Sequence, residues 1–74
     1  MTRPIKRSLT LNGHRTSVSL EAEFWDAFRD IAERRRVAFN ALAAEIDEGR
    51  DMQIGLATAI RLFVLSELQL AAGR

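Results

Sequence analysis

Residues 13–28, GHRTSVSLEAEFWDAF, change their period with no loop between the two halves. Val18 and Leu20 alternate with Arg15, Ser17 and Ser19, the two-residue repeat of a strand with one apolar face. From Phe24 onward the apolar residues fall at Phe24, Trp25, Phe28, Ile31 and Ala32, the spacing of a helix. A lone strand or hairpin is not stable in water, and every backbone amide buried without a partner costs about 1–3 kcal/mol. The simplest partner for segment 15–20 is the same segment of a second chain, antiparallel about a two-fold axis. Val18 and Leu20 then face the helices of both chains, and Arg15, Ser17 and Ser19 face outward.

Other constraints also favour association. With 74 residues there is room for one domain. In a core of that size, burial at about 25 cal/mol per Å² roughly cancels about 1.5 kcal/mol of ordering entropy per residue. Small folds compensate with disulfides, metals or partner chains. There is no Cys and one His, so disulfides, thiolate sites and a His-cluster site within one chain are out, and no metal or other cofactor is expected. A homodimer is the expectation, with Val18, Leu20, Phe24, Trp25, Phe28, Ile31, Leu42 and Ile46 as its core. Apolar residues make up 47% of the chain, which suits a folded domain rather than a disordered tail. No run is apolar and long enough for a membrane span, and the start lacks a signal-peptide stretch. A soluble cytoplasmic protein is expected.

The net charge of +1 conceals an uneven distribution. Residues 1–19 carry Arg3, Lys6, Arg7 and Arg15 and no acid; residues 20–49 carry four bases against eight acids; residues 50–74 carry three against two. A basic N-terminal part on a near-neutral body fits an anionic partner at one end, although a solvated tail has the same composition.

Along the chain, residues 1–7 read as a flexible basic arm and residues 8–71 as the domain. Residues 8–20 are strand-like and contain Asn12-Gly13, a hairpin signal. Either residues 8–12 fold back on 14–20, which the dipeptide favours, or Gly13 bends one long arm. Residues 21–35 form a first helix, with Glu21, Glu23 and Asp26 near its start and Arg34, Arg35 and Arg36 at its end, as the helix dipole prefers. A second helix spans 39–48, with Phe39, Leu42, Ala43 and Ile46 on one side and Gly49 placed to end it. A third spans 56–71. Its main apolar face holds Leu56, Ala57, Ile60, Phe63, Val64 and Leu68, while Leu62 and Leu65 lie outside that face among Thr58, Arg61 and Gln69. A helix apolar on most sides is usually covered on several of them. The fold class is mainly α with one short β-strand.

A two-stranded ribbon fits the DNA major groove, where Ser hydroxyls meet base edges and Arg binds guanine with about 1–3 kcal/mol of discrimination. An ordinary solvated strand face shows the same alternation. The order strand, helix, turn, helix in RTSVSLEAEFWDAFRDIAERRRVAFNALAAEID, residues 15–47, resembles the ribbon-helix-helix family of DNA-binding proteins. The segments GHRTSVSLE, FNALAAEID and ATAIRLFVL resemble the small bacterial variant with a third helix, over about residues 9–68. The resemblance implies a dimer whose intermolecular antiparallel ribbon enters the major groove of double-stranded DNA. It implies base contacts from Arg15, Ser17 and Ser19, and phosphate binding by backbone amides around Phe39 and Asn40. Free amides at a helix start do bind anions. Lys6 and Arg7 would add phosphate contacts. Many relatives place Ser or Thr where this chain has Ala38, which forgoes about 1 kcal/mol of capping.

The function expected is a sequence-specific transcriptional regulator, most simply a repressor. The alternative is a protein-interaction or antitoxin-like module that uses the apolar third helix, or a tetramer built through Leu62 and Leu65. Typical antitoxins of this scaffold carry a long tail after the second helix, whereas this region reads as a compact helix. An enzyme is not expected. His14, Ser17 and Ser19 lack an elbow motif and a carboxylate placed to orient the His, and the adjacent Asp47 and Glu48 splay apart on a helix. His14 more often packs at a strand end than touches DNA.

Overall fold

The computed structural model describes residues 3–73. It contains β1 (Ile5–Leu11), β2 (His14–Leu20), α1 (Ala22–Arg35), α2 (Phe39–Gly49) and α3 (Leu56–Ala71). The two strands form one antiparallel sheet, paired from Ile5↔Leu20 to Leu11↔His14. Asn12 and Gly13 join them with φ of 52° and 83°. Two positive φ angles define the tight turn whose twist matches that of a hairpin, and Asn-Gly adopts it most readily.

The hairpin settles the two alternatives left open by Asn12-Gly13, and it corrects one expectation. Segment 15–20 pairs antiparallel with β1 of the same chain, which satisfies one edge of β2. Ile5, Lys6 and Arg7, assigned above to a flexible arm, are the first three residues of β1. The Trp25 indole N–H donates to the Ile5 carbonyl at 2.9 Å, and the Arg7 guanidinium lies 5.4 Å from the centre of the Trp25 ring. These contacts hold the start of β1 against α1.

The strands lie on the helices with Leu9, Leu11, Val18 and Leu20 inward, and all four are buried. Beneath them sit Trp25, Phe28, Ile31 and Ala32 from α1, Leu42, Ala43 and Ala44 from α2, and Ile60 and Val64 from α3. Phe39, at the first position of α2, stacks near Trp25 (5.9 Å between centroids) and meets Phe28 edge-on at 4.9 Å. Phe63 meets Phe28 edge-on from the other side at 6.0 Å. Of the residues expected to form a dimer core, Val18, Leu20, Trp25, Phe28, Ile31 and Leu42 are buried within one chain, and Phe24 and Ile46 are half-buried. Among the described residues no buried side-chain polar atom lacks a partner. The second strand supplies the apolar cover that a single strand would have had to borrow.

α1 ends where Arg36 turns into the left-handed region (φ 58°); its amide and that of Val37 bond back to the last turn. Arg50 closes the α2–α3 connection, bonding Asp47 at 2.8 Å and the Ile54 carbonyl at 2.6 Å. On α3, Ala59 is buried whereas Leu68 is 48% exposed, so the inner face is narrower towards its C-terminal end than the sequence pattern indicated. Leu62 and Leu65, expected outside that face, are 54% and 49% exposed.

Candidate nucleic-acid interface

Pleating places the opposite side of the ribbon in solvent. Lys6, Ser8 and Thr10 of β1 stand beside Ser19, Ser17 and Arg15 of β2, in that order, and all six are exposed. The two-residue turn makes Leu11 and His14 a hydrogen-bonded pair. Lys6/Ser19, Ser8/Ser17 and Thr10/Arg15 are therefore non-hydrogen-bonded pairs, with Cβ atoms about 4.5–5.5 Å apart. The Ser8 and Ser17 hydroxyls thus form the middle of the face, and each end pairs a cation with a hydroxyl, Lys6 with Ser19 and Arg15 with Thr10, the cations on opposite strands. Neither Lys6 nor Arg15 has an ion pair with any described residue, so both charges face outward unspent.

Three contacts fix this face relative to the helices. At the turn, the Asn12 side-chain amide donates to Glu48 of α2 at 2.7 Å. At the other end Trp25 holds Ile5. On the β2 edge, Arg61 of α3 bonds Glu21 at 2.9 Å and reaches the Ser19 carbonyl at 3.4 Å. The Glu21 carboxyl is held below its ordinary range, first by a backbone hydrogen bond at Glu21 itself and then by the Arg61 guanidinium.

Beside β1 an open groove of about 430 Å³ runs between the strand edge, α1 and the start of α2. Arg7, Ser8, Arg29, Glu33, Val37 and Phe39 line it. Ala38 caps α2 without a side-chain bond, and the first intrahelical bond runs from the Leu42 amide to the Ala38 carbonyl. The amides of Phe39, Asn40 and Ala41 therefore precede the ladder, as helix starts require. Asn40 is exposed, whereas the Phe39 ring belongs to the aromatic cluster. Arg7 borders this groove, and Lys6 stands on the ribbon's outward face, so the structure separates the two bases that the sequence grouped together.

The C-terminal arginines of α1 divide in a similar way. Arg35 pairs with Glu67 at 2.8 Å and covers Phe63, which gives it a structural role. Arg34 and Arg36 are exposed. His14 is exposed beside the turn. No helix among the described residues is long and apolar enough to cross a membrane.

The family model described as "Ribbon-helix-helix domain" matches residues 4–68, nearly the whole chain. The chain belongs to the ribbon-helix-helix family. These are generally DNA-binding regulators, non-enzymatic and typically dimeric. The matched span includes all of β1 and most of α3, so the first strand and the third helix belong to this ribbon-helix-helix domain. Comparison with curated proteins and with solved structures gives no match.

Sequence reasoning missed Lys6, Ser8 and Thr10 as residues of the outward face. The signal was present in the alternation of IKRSLTL, but Arg7 interrupts the apolar half of it. Arg7 is tolerated on that side because Val18, its partner, is buried deeper in the sheet while the guanidinium spreads over Trp25 at the margin.

Proposed function

We propose that this ribbon-helix-helix protein is a sequence-specific transcriptional regulator, acting as a homodimeric repressor in the bacterial cytoplasm, that lays its ribbon in the major groove of double-stranded DNA. One observation carries the reading: a two-stranded ribbon whose outward side is all hydroxyls and unpaired cations, on a scaffold whose family binds DNA. Small side chains at Ser8, Ser17 and Ser19 let the ribbon approach the base edges. Arg15 offers the forked guanidinium that matches guanine. Arg7 and the free amides near Phe39 and Asn40 lie to the side, where the phosphate backbone would pass. Phosphate contacts position the protein and base contacts choose the sequence, so the two groups have separable effects.

The test is binding of the purified protein to a pool of random duplexes. A phosphate-anchored complex weakens linearly in log–log with salt, by about 0.9 per phosphate neutralised. Retention of no duplex at low salt refutes the reading.

A second reading has its own observation. Leu62, Leu65 and Leu68 leave α3 with an exposed apolar side, which suits a protein partner or further self-association. Light scattering across concentration separates the two: a plain dimer disfavours a role built on this side, and a concentration-dependent tetramer assigns the leucines to self-association.

A further inference from the structure

We propose that Asn12-Gly13 is a self-modifying site: the Asn12 side-chain amide is lost to attack by the Gly13 backbone nitrogen, Glu48 holds the reaction in check, and the carboxylate formed releases the turn of the hairpin from α2. Asparagine reacts in this way where the next residue is small and its backbone N–H is free. Glycine has no side chain to obstruct the approach. The Gly13 amide lies in the turn, outside both strands, and makes no hydrogen bond with any described residue. The space around Gly13 is open, since a Cβ built there would meet no atom within 4 Å. Asn12 and Gly13 are both exposed. The other asparagine, Asn40, precedes Ala41 inside α2, where a methyl group and the helical backbone obstruct the same approach.

The Gly13 nitrogen bonds to the Asn12 Cγ and gives up its proton. The Cγ–Nδ2 bond breaks, and Nδ2 leaves with that proton as ammonia. The succinimide formed takes up one water and opens to aspartate or to isoaspartate, which has an extra carbon in the main chain. A hollow of about 310 Å³ bordered by Leu11, Asn12, His14, Asp47 and Arg50 gives water access to the turn. Attack requires the carboxamide to swing its carbon onto the Gly13 nitrogen, and the Nδ2 bond to Glu48 at 2.7 Å holds it towards α2 instead. Glu48 has no ion pair with any described residue. The neighbouring Asp47 is met by Arg50, which also bonds the Ile54 carbonyl. A carboxylate at position 12 therefore replaces the donor to Glu48 with a second negative charge, and no cation stands between them. Isoaspartate also lengthens a two-residue turn, so the Leu11↔His14 pair no longer closes in register. Either product removes one of the three contacts that fix the ribbon on the helices.

The experiment is prolonged incubation of the full chain in neutral buffer, followed by peptide mass mapping and enzymatic labelling of isoaspartate. Residue 12 is expected to gain the mass that separates an acid from an amide, with isoaspartate appearing there, while Asn40 stays intact. Glu48→Ala, checked for native helicity, is expected to speed the conversion several-fold. Hydrogen exchange reads the consequence. Asn12→Asp should raise exchange at Leu11 and His14 several-fold, and adding Glu48→Gln should bring it back towards wild type, because a donor again faces an acceptor; mere loss of the asparagine would not be rescued in this way. An unchanged residue 12 in the folded chain, under conditions where the urea-unfolded chain converts, overturns the site. Equal rates in wild type and Glu48→Ala overturn the restraint, and wild-type exchange in Asn12→Asp overturns the release.

Discussion

The hairpin can be fixed covalently, and the outcome follows from its register. Ser8 and Ser17 face each other as a non-hydrogen-bonded pair, where Cα atoms lie about 4.5 Å apart. That is within the range of about 4.4–6.8 Å that a disulfide spans. The chain has no cysteine of its own, so S8C/S17C introduces two thiols with no competing partner. The ring closed would hold about ten residues. Loop-closure entropy for a ring of that length is worth about 2.7 kcal/mol at 25 °C, before any strain. For a domain of this size that corresponds to a rise of roughly 10–20 °C in Tm. The assay has two arms. A non-reducing gel after mild oxidation at low concentration should show a single-chain disulfide, and thermal melts with and without reductant should differ by at least several degrees. A disulfide-linked pair of chains, or thiols that stay free under oxidation, would refute the intramolecular register and every conclusion drawn from it.

Other expectations follow from local contacts. Arg36→Gly removes the left-handed strain at the end of α1 (φ 58°); after allowing for the flexibility that glycine adds to the unfolded chain, it should stabilise by roughly 0.5–1 kcal/mol, and an unchanged or lower Tm contradicts this. Trp25→Phe deletes the donor to the Ile5 carbonyl and should cost about 1–2 kcal/mol; faster hydrogen exchange at the start of β1 is the specific sign, and unchanged exchange there counts against the anchor. The lowered pKa of Glu21 means that its ionised form stabilises the fold above the ordinary value of 4.5, and that this contribution is lost as pH falls through the lower folded value. Glu21→Gln should accordingly flatten the fall of Tm with acid below that point, and an identical acid limb would show that neither the backbone hydrogen bond at Glu21 nor the pair with Arg61 favours the ionised form.

Much of the helical part could be read from the sequence because its periodicity is strong. Phe24, Trp25, Phe28 and Ile31 mark the inner side of α1, and Phe39, Leu42 and Ala43 that of α2, and both sets pack where the spacing puts them. Val18 and Leu20 likewise identify the inner side of β2. The first strand was less legible. Its inward positions are Ile5, Arg7, Leu9 and Leu11, and a cation at Arg7 together with Lys6 beside it looks like a solvated arm until Trp25 is placed beneath. Without β1, the unmet hydrogen bonds of β2 were assigned wholly to a second chain; β1 meets those of one edge. On α3, Leu68 has the right spacing for the core but no element above it, because coverage depends on where neighbouring helices end and not on period. The half of the outward face contributed by β2 was visible as Arg15, Ser17 and Ser19, and the half contributed by β1 appeared only with the register.

The ribbon is pinned at its turn by Asn12 to Glu48, at its open end by Trp25 to Ile5, and along β2 by Arg61. A blade braced in this way loses little freedom when it enters a groove, and it has little capacity to bend once there. The duplex must then supply the adjustment. Sequences whose groove already has the matching width and inclination start with an advantage, even at base pairs that no side chain touches.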